Sequence, residues 1–304
     1  MKSATELDYH LHHLCIYDDQ PRENMFPYLR WHHGITNFFS GSVFHVTGEG
    51  HSDYTFLGCG GRAYQIQIEA PPFQFEYERN WWRDHGKGYN HICWITSDAR
   101  ASMEQLLANG ATEVMPFEEF PTYDGFVVHD PEGRWVEIME YTDDTFRVQE
   151  FTHAPSGECG LEMVGNAEIC NDVDLMVDWY ERVLDLRVLE RFDSDGDKFV
   201  VMSDRKYDPV GRRTLFVLQN ARHDFEKSKA DAHGAHIASI LYQAKDVQRA
   251  WEDALWAGMK PLLEPHVDAL TGLQTAYLSE PCGNNVIMLT EHYAPAAAEF
   301  ANAA

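Results

Sequence analysis

Asn90-His91-Ile92-Cys93-Trp94 opens, and Asp130-Pro131-Glu132-Gly133-Arg134-Trp135-Val136-Glu137-Ile138-Met139-Glu140 closes, the stretch that decides the fold. The opening reads as an apolar strand carrying a histidine. The closing reads as a tight turn feeding a strand that carries a glutamate. Between them, Ala108-Asn109-Gly110 has the form of a helix end, because glycine suits the residue that follows a helix. A histidine on one strand and a carboxylate on another strand of one small sheet are half of a metal site. A second copy packed against the first would supply the rest.

Working outward, the same phrase recurs, as a repeat architecture requires. His236-Ile237-Ala238 leads through Trp256-Ala257-Gly258 to Glu280-Pro281-Cys282-Gly283, with 45 residues from histidine to proline against 40 in the first copy. A third copy opens at Gly165-Asn166-Ala167-Glu168-Ile169, continues through an amphipathic helix around Asp178–Leu186 and closes near Thr214–Leu218. The most altered copy opens at His12-His13-Leu14-Cys15-Ile16-Tyr17 and closes at Tyr64-Gln65-Ile66-Gln67-Ile68-Glu69, with a poorly patterned helix around Asn24–His33 broken by Pro27. Each unit therefore reads as strand, helix and about three strands. The fold class expected is α+β, with four tandem βαβββ units forming two half-open, barrel-like sheets. Residues 7–145 would form the metal-binding pair of units. Residues 160–294 would form a second pair with a degenerate site, joined through a linker from Asp143 to Gly160.

Strand side chains alternate faces with a period of two. Leu14, Ile16, Ile66, Ile68, Ile92, Trp94, Val136 and Ile138 then share the face that packs on helices. The other face carries His13, Gln67, His91 and Glu137. Two imidazoles, a carboxylate and an amide oxygen suit one divalent ion of the borderline kind, Fe, Co, Ni, Mn or Zn, with positions open to water or substrate. Glu69 lies on the same face as Gln67. His10 and His12 have the opposite parity to His13 and are expected at the surface. His32-His33 reads as a surface or helix-end pair, His129 as a turn residue, and Trp81-Trp82 as a core or lid patch. In the second half, Asn166 stands in the first histidine's slot, Phe216 or Val217 in the glutamine's and Ile287 in the glutamate's, with only His236 retained. That half reads as a structural pseudo-copy.

The repeated units, the His-Ile strand openings and the Asp-Pro-Glu-Gly-x-x-Val-Glu-Ile closing resemble the vicinal oxygen chelate superfamily, which groups glyoxalase, bleomycin-resistance proteins and extradiol dioxygenases. The resemblance covers nearly the whole chain and is strongest in the second unit. It implies a metal held by one residue of each first and last strand, here His13, Gln67, His91 and Glu137. The order His/Gln/His/Glu, with Gln67-Ile68-Glu69-Ala70-Pro71 and Gly86-Lys87-Gly88-Tyr89-Asn90-His91, is most similar to methylmalonyl-CoA epimerase. The catalytic base that this likeness implies falls near Glu49. The activity implied first is that of a divalent-metal-dependent isomerase or lyase, moving a proton beside the carbonyl of a small oxygen-chelating substrate. The alternative is an Fe(II) ring-cleaving dioxygenase using His13, His91 and Glu137. Against it, the extradiol pattern wants tyrosine where this chain has Val127 and histidine where it has Glu118. A metal-free small-molecule binding protein is the third reading.

Composition limits the partners. The 304 residues, 44% hydrophobic and 13% aromatic, can fill real cores. With 24 Lys and Arg against 49 Asp and Glu, the formal charge of −25 argues against nucleic acid and anionic membrane. It also disfavours coenzyme A thioesters, since Arg30, Arg62, Lys87 and Arg134 occur singly. A small-molecule substrate is expected, with homo-oligomerisation left open. The six cysteines are scattered, as for reduced thiols. With no apolar run of about 20 residues and no signal-peptide stretch at the start, the expected compartment is the cytoplasm.

Overall fold

The computed structural model describes residues 2–18, 38–42, 53–59, 65–73, 75–121, 123–142, 162–203, 214–256, 258–279 and 286–291. The linker around Asp143–Gly160, the segment Asn24–His33 and Glu49 lie outside them. After a short helix α1 (Ala4–Leu7), the first half contains β1 (His10–Tyr17), β2 (Phe38–Ser42), β3 (Asp53–Cys59), β4 (Gln65–Ala70), α2 (Glu76–His85), β5 (Gly88–Ile95), α3 (Ala99–Ala108), β6 (Thr112–Glu119), β7 (Tyr123–His129) and β8 (Trp135–Tyr141). The second half repeats the plan: β9 (Glu162–Ile169), α4 (Val173–Leu184), β10 (Arg187–Ser194), β11 (Asp197–Ser203), β12 (Leu215–Gln219), α5 (Asp224–His233), β13 (His236–Gln243), α6 (Val247–Trp256), β14 (Lys260–Val267), β15 (Gln274–Ser279) and β16 (Val286–Thr290). The strands form two eight-stranded sheets, β2-β3-β4-β1-β5-β8-β7-β6 and β10-β11-β12-β9-β13-β16-β15-β14. In each sheet the first strands of two units pair antiparallel at the centre, and each last strand runs parallel beside its own first strand.

Local sequence sets the helix limits. Asp98 Oδ1 accepts from the Ala101 N–H at 2.9 Å and caps α3. Asp172 does the same for α4 through Leu175 N–H at 3.0 Å. The helices α3 and α6 stop at Ala108 and Trp256, just before Asn109-Gly110 and Ala257-Gly258, as the phrase requires. The helices that join units, α2 and α5, start differently: Glu78 Oε2 takes the Phe75 N–H at 2.9 Å, and Glu226 Oε2 takes the His223 N–H at 3.0 Å.

One face of both sheets packs into a single shared core. Leu14, Ile16, Ile92, Trp94, Val136 and Ile138 from the first half meet Met176, Tyr180, Phe216, Ile240 and Tyr242 from the second. The Trp94 and Phe216 rings lie 6.0 Å apart across the junction. The other, concave faces hold separate clusters. The second half's interior is filled by Val164, Phe199, Val201, Leu215, Val217, Leu241, Tyr277 and Met288.

The junction is also fixed by charge. Arg134, in the Asp130–Arg134 turn, is buried, with Nε 2.7 Å from Asp130 and Nη1 3.1 Å from Glu168 of β9. Its Nη1 also donates to the Ile169 carbonyl at 3.1 Å. Glu132 accepts from the backbone N–H of Asp172, at the start of α4. Burial works against the guanidinium charge, but Glu168 and Asp130 more than offset it and its pKa is raised. One cation cannot neutralise the surrounding carboxylates, and burial pushes the Glu168 carboxyl up to about 8 despite Arg134. Replacing Arg134 by Ala strands these groups in the interior. It should cost about 3–5 kcal/mol, read as a drop in the urea midpoint at unchanged slope. A loss below about 1 kcal/mol, the scale of an exposed pair, would show that the junction does not depend on this residue.

Candidate metal centre

The centre is built on the pairing of β1 with β5. His13 is the register partner of Cys93, and Leu14 that of Ile92. The parallel neighbours place Glu137 beside Cys93 and Gln67 beside Cys15. His13, Cys15, Gln67, His91, Cys93 and Glu137 thus share the concave face, related by the pseudo-twofold axis between β1 and β5. Of the residues expected to form the site, His13, His91 and Glu137 come together, with ligand atoms all within 4.8 Å of one another. Glu137 Oε2 lies 3.4 Å from His13 Nε2 and 3.3 Å from His91 Nε2. Donors about 2.1 Å from one ion lie roughly 3.0–3.4 Å apart at right-angle to tetrahedral geometry. Gln67 is half-buried at the register position that mirrors Glu137.

The protonation states match a cation site. Burial pushes His13 well below the usual imidazole value, helped by repulsion from His12 and His91, so it is neutral. Burial opposes the charge on Glu137, but the close approach of His91 wins and its pKa is lowered. Neutral imidazoles and an ionised carboxylate are the forms that bind metal. His91 Nε2 is buried and makes no hydrogen bond among the described residues. Cys15 and Cys93 are driven well up by burial and then by carboxylate repulsion, so both are neutral thiols rather than soft ligands.

Neighbouring groups orient these side chains, as the outer partners of metal ligands do. Asn90 Oδ1 bonds His91 Nδ1. With that nitrogen as donor, the lone pair of His91 sits on Nε2 and faces Glu137. His12 Nδ1 lies 2.8 Å from His13 Nδ1, and His12 Nε2 lies 3.0 Å from Tyr141 Oη. A chain in which His13 Nδ1–H donates to His12, and His12 Nε2–H to Tyr141, puts the His13 lone pair on Nε2, facing Glu137. His12 is therefore not at the surface as parity implied; it is 3% exposed. The register of β1 against β5 shifts between Leu11 and His13. Such a bulge breaks strict alternation and lets two consecutive side chains turn inward. His12, His13 and Cys93 form a second ligand-type group, but its histidines already bond each other.

Around Glu137 the interior is aromatic. Val127, its cross-strand partner, packs with Met115 and Trp135 against Phe75, Tyr77, Trp81 and Phe120. Tyr77 donates to Met115 Sδ at 3.4 Å. His129, expected only as a turn residue, accepts the Trp135 indole N–H at 2.8 Å. Glu78 is buried on α2, and burial raises its pKa. Asn90, Tyr141 and Glu78 were not singled out in the sequence. Asn90 sits beside His91, and that adjacency was the available signal.

Register relocates the second half's slots. Ser239 and Leu241 take the places of His91 and Cys93, since Ile240 pairs with Asn166 as Ile92 pairs with Leu14. Met288, beside Leu241, takes the place of Glu137; Val217, beside Ala167, takes that of Gln67. Gly165 takes that of His13. At φ +153°, a Cβ there would lie 1.8 Å from the Leu215 carbonyl oxygen, so no ligand side chain fits. The slots assigned to Asn166, His236 and Ile287 were each displaced along their strands, and no ligand-type residue takes any of the corrected positions.

Residues 167–288 match the family described as Glyoxalase/Bleomycin resistance protein/Dioxygenase superfamily. The second half of the chain thus resembles this superfamily. Its members include metal-dependent isomerases and lyases as well as dioxygenases. Three solved structures share the fold at low identity. A xylose isomerase-like TIM barrel/4-hydroxyphenylpyruvate dioxygenase fusion protein is 16% identical, with a TM-score of 0.59 over 99% of this chain; the chain spans 52% of that protein. The 2,2′,3-trihydroxybiphenyl 1,2-dioxygenase from dibenzofuran-degrading Sphingomonas wittichii strain RW1 is 14% identical, with a TM-score of 0.57 over 93% of this chain and 90% of its own. A triple mutant of 4-hydroxymandelate synthase from Streptomyces coelicolor is 10% identical, with a TM-score of 0.60 over 95% and 94%. No curated protein sequence is significantly similar to the chain. The likeness to methylmalonyl-CoA epimerase gains no support from these matches. No helix among the described residues is long and apolar enough to cross a membrane.

If this triad holds an ion, Glu137→Ala should abolish stoichiometric metal, while His236→Ala leaves it unchanged. Asn90→Ala should weaken metal binding about 10–100-fold by freeing the His91 ring. Metal analysis and competitive chelator titration check all three; full metal content in Glu137→Ala would sink the assignment.

Proposed function

We propose that the chain is a metal-dependent dioxygenase acting on an aromatic or planar substrate that chelates through two neighbouring oxygens. The observation that carries this reading is the donor set: two imidazoles and one ionised carboxylate with ligand atoms within 4.8 Å. That is the ligand set of non-haem iron oxygenases, which leaves positions open. The donors fit such an ion: His91 Nε2 is a buried nitrogen without a hydrogen bond, and both imidazoles are turned by partners on their Nδ1 side. A bound iron(II) would supply redox chemistry toward dioxygen and a Lewis-acid anchor for the substrate's oxygens.

The protein's own groups do the rest. Asn90 and His12 fix the imidazole orientations. Phe75, Tyr77, Trp81, Phe120 and Trp135 form an apolar wall beside Glu137. Such a wall suits an aromatic ring, which favours offset or edge contacts, and excludes water. The matched structures that include dioxygenases agree with this reading in fold. Val127 and Glu118, where the extradiol pattern wants tyrosine and histidine, separate this chain from that pattern. Any proton transfer must then use other groups.

A proton-transfer isomerase or lyase remains the second reading, on one specific observation. Gln67 mirrors Glu137 across the pseudo-twofold and would make a fourth donor, with buried Glu69 two residues on along β4. Gln67→Ala separates the two. A three-residue site keeps its metal, whereas a four-donor site loses about tenfold or more in affinity. The functional test pairs oxygen consumption by iron(II)-loaded protein on a panel of catechols with solvent deuterium exchange into carbonyl acids. Oxygen uptake without exchange supports the dioxygenase; exchange without uptake selects the isomerase or lyase. Protein purified without stoichiometric metal, and unable to take it up, would leave a binding role and end both.

A further inference from the structure

The concave centre is not the only place where functional groups converge. At the junction of the halves, behind Asn90, lies a cavity of about 170 Å³. One water needs only about 10–15 Å³ of such space. Its wall includes Trp81, Asn90 and Trp135 from the first half and Lys229, His233 and His236 from the second, with His85 and Lys87 at its edge. Although the chain has 49 acidic residues, no Asp or Glu among the described residues lines it. Arg134 reaches it but already faces three carboxylates, Asp130, Glu132 and Glu168. Lys87 faces Asp18 at 3.6 Å. Lys229 is different. It makes no ion pair among the described residues, and its ammonium sits 5.7 Å from the Tyr89 ring centre. Burial pushes its pKa down to about 8, the penalty for a cation short of water and of a counter-charge. His233 is one helical turn further along α5, its ring 5.7 Å from that of His85. The second observation is independent of charge. Asn90 is 4% exposed, its Oδ1 is taken by His91, and its buried Nδ2 has no hydrogen-bond partner.

We propose that this junction cavity binds a small oxyanion, the carboxylate or phosphate group of a low-molecular-weight ligand, with the Lys229 ammonium as counter-charge and the Asn90 amide as hydrogen-bond donor. An ammonium gives three donors and the amide two, and among the described residues the lining offers no carboxylate to compete. The site couples to the metal centre through Asn90, since the same side chain holds the His91 ring. The inference stands apart from the metal chemistry, and its test uses metal-free protein.

The full chain, stripped of metal, is titrated with inorganic phosphate and separately with succinate at constant ionic strength. Fluorescence of Trp81 and Trp135 and the thermal midpoint are followed. Saturable binding of one or both is expected, weakened at least tenfold in Lys229→Met and reduced in His233→Gln. Lys227→Met, exposed on the same helix, should bind like wild type. Phosphate alone points to a phosphoryl ligand, and succinate alone to a carboxylic acid. Removing a partly buried cation with no ion pair among the described residues should also raise the anion-free midpoint of Lys229→Met, so loss of binding is not confused with loss of fold. A response that does not saturate, or that is equal in Lys229→Met and wild type, overturns the proposal. So does an anion-free midpoint that falls in Lys229→Met, because it would make the lysine a structural group.

Discussion

The antiparallel pairing of β1 with β5 is the constraint on which the first half depends. It joins two βαβββ units whose own sheets are too small to close, and it sets which residues face each other across their pseudo-twofold axis. The register is enforced from the opposite side. Leu14, Ile16, Ile92 and Trp94 must enter the shared core, and a slip of one residue would expose that whole set. Burying each such side chain contributes about 1.5–3 kcal/mol. His13 and His91 therefore converge on the concave face without the donor groups having to attract one another. Their proximity to Glu137 is held by hydrophobic packing.

The second half obeys the same constraint and reaches the opposite result. Gly165, Ser239, Val217 and Met288 stand where the first half has His13, His91, Gln67 and Glu137, and aliphatic and aromatic groups close the interior. Gly165 makes the difference irreversible at one position, because β9 approaches β12 too closely there for any side chain. The copy's contribution is its other face. It completes the core that clamps Trp94 and supplies Glu168 to Arg134.

Much of this was legible in the sequence because alternation and unit length are local properties. Parity placed His13, His91 and Glu137 on one face, and Asn-Gly and Ala-Gly marked where helices stop. Legibility failed where a strand departs from regular pairing. The bulge in β1 buries His12, which parity had put outside, and the bulge in β13 between Ile237 and Ser239 makes His236-Ile237 look like His91-Ile92 although it lies earlier on its strand. Helices α2 and α5 are each started by a glutamate reaching back to backbone N–H groups, and of the two only α5 is weakly amphipathic. Glu49, inferred only from a likeness to a base in another enzyme, lies outside the described residues.

Net charge is the property that transfers least from chain to site. A total of −25 argues that anions are repelled, and along the sequence the basic residues do stand singly. Folding removes that isolation, bringing Lys87 of one half and Lys229 of the other to one cavity. Exposed charges more than about 8–10 Å away are screened by salt, while a partly buried ammonium acts through a medium of lower dielectric. One unpaired lysine at such a junction can thus set the local sign of the field against a strongly acidic whole. The turn that closes the metal strand shows the reverse case within a few residues, where Arg134 is outnumbered by Asp130, Glu132 and Glu168 and the surplus is met by a carboxyl that holds its proton.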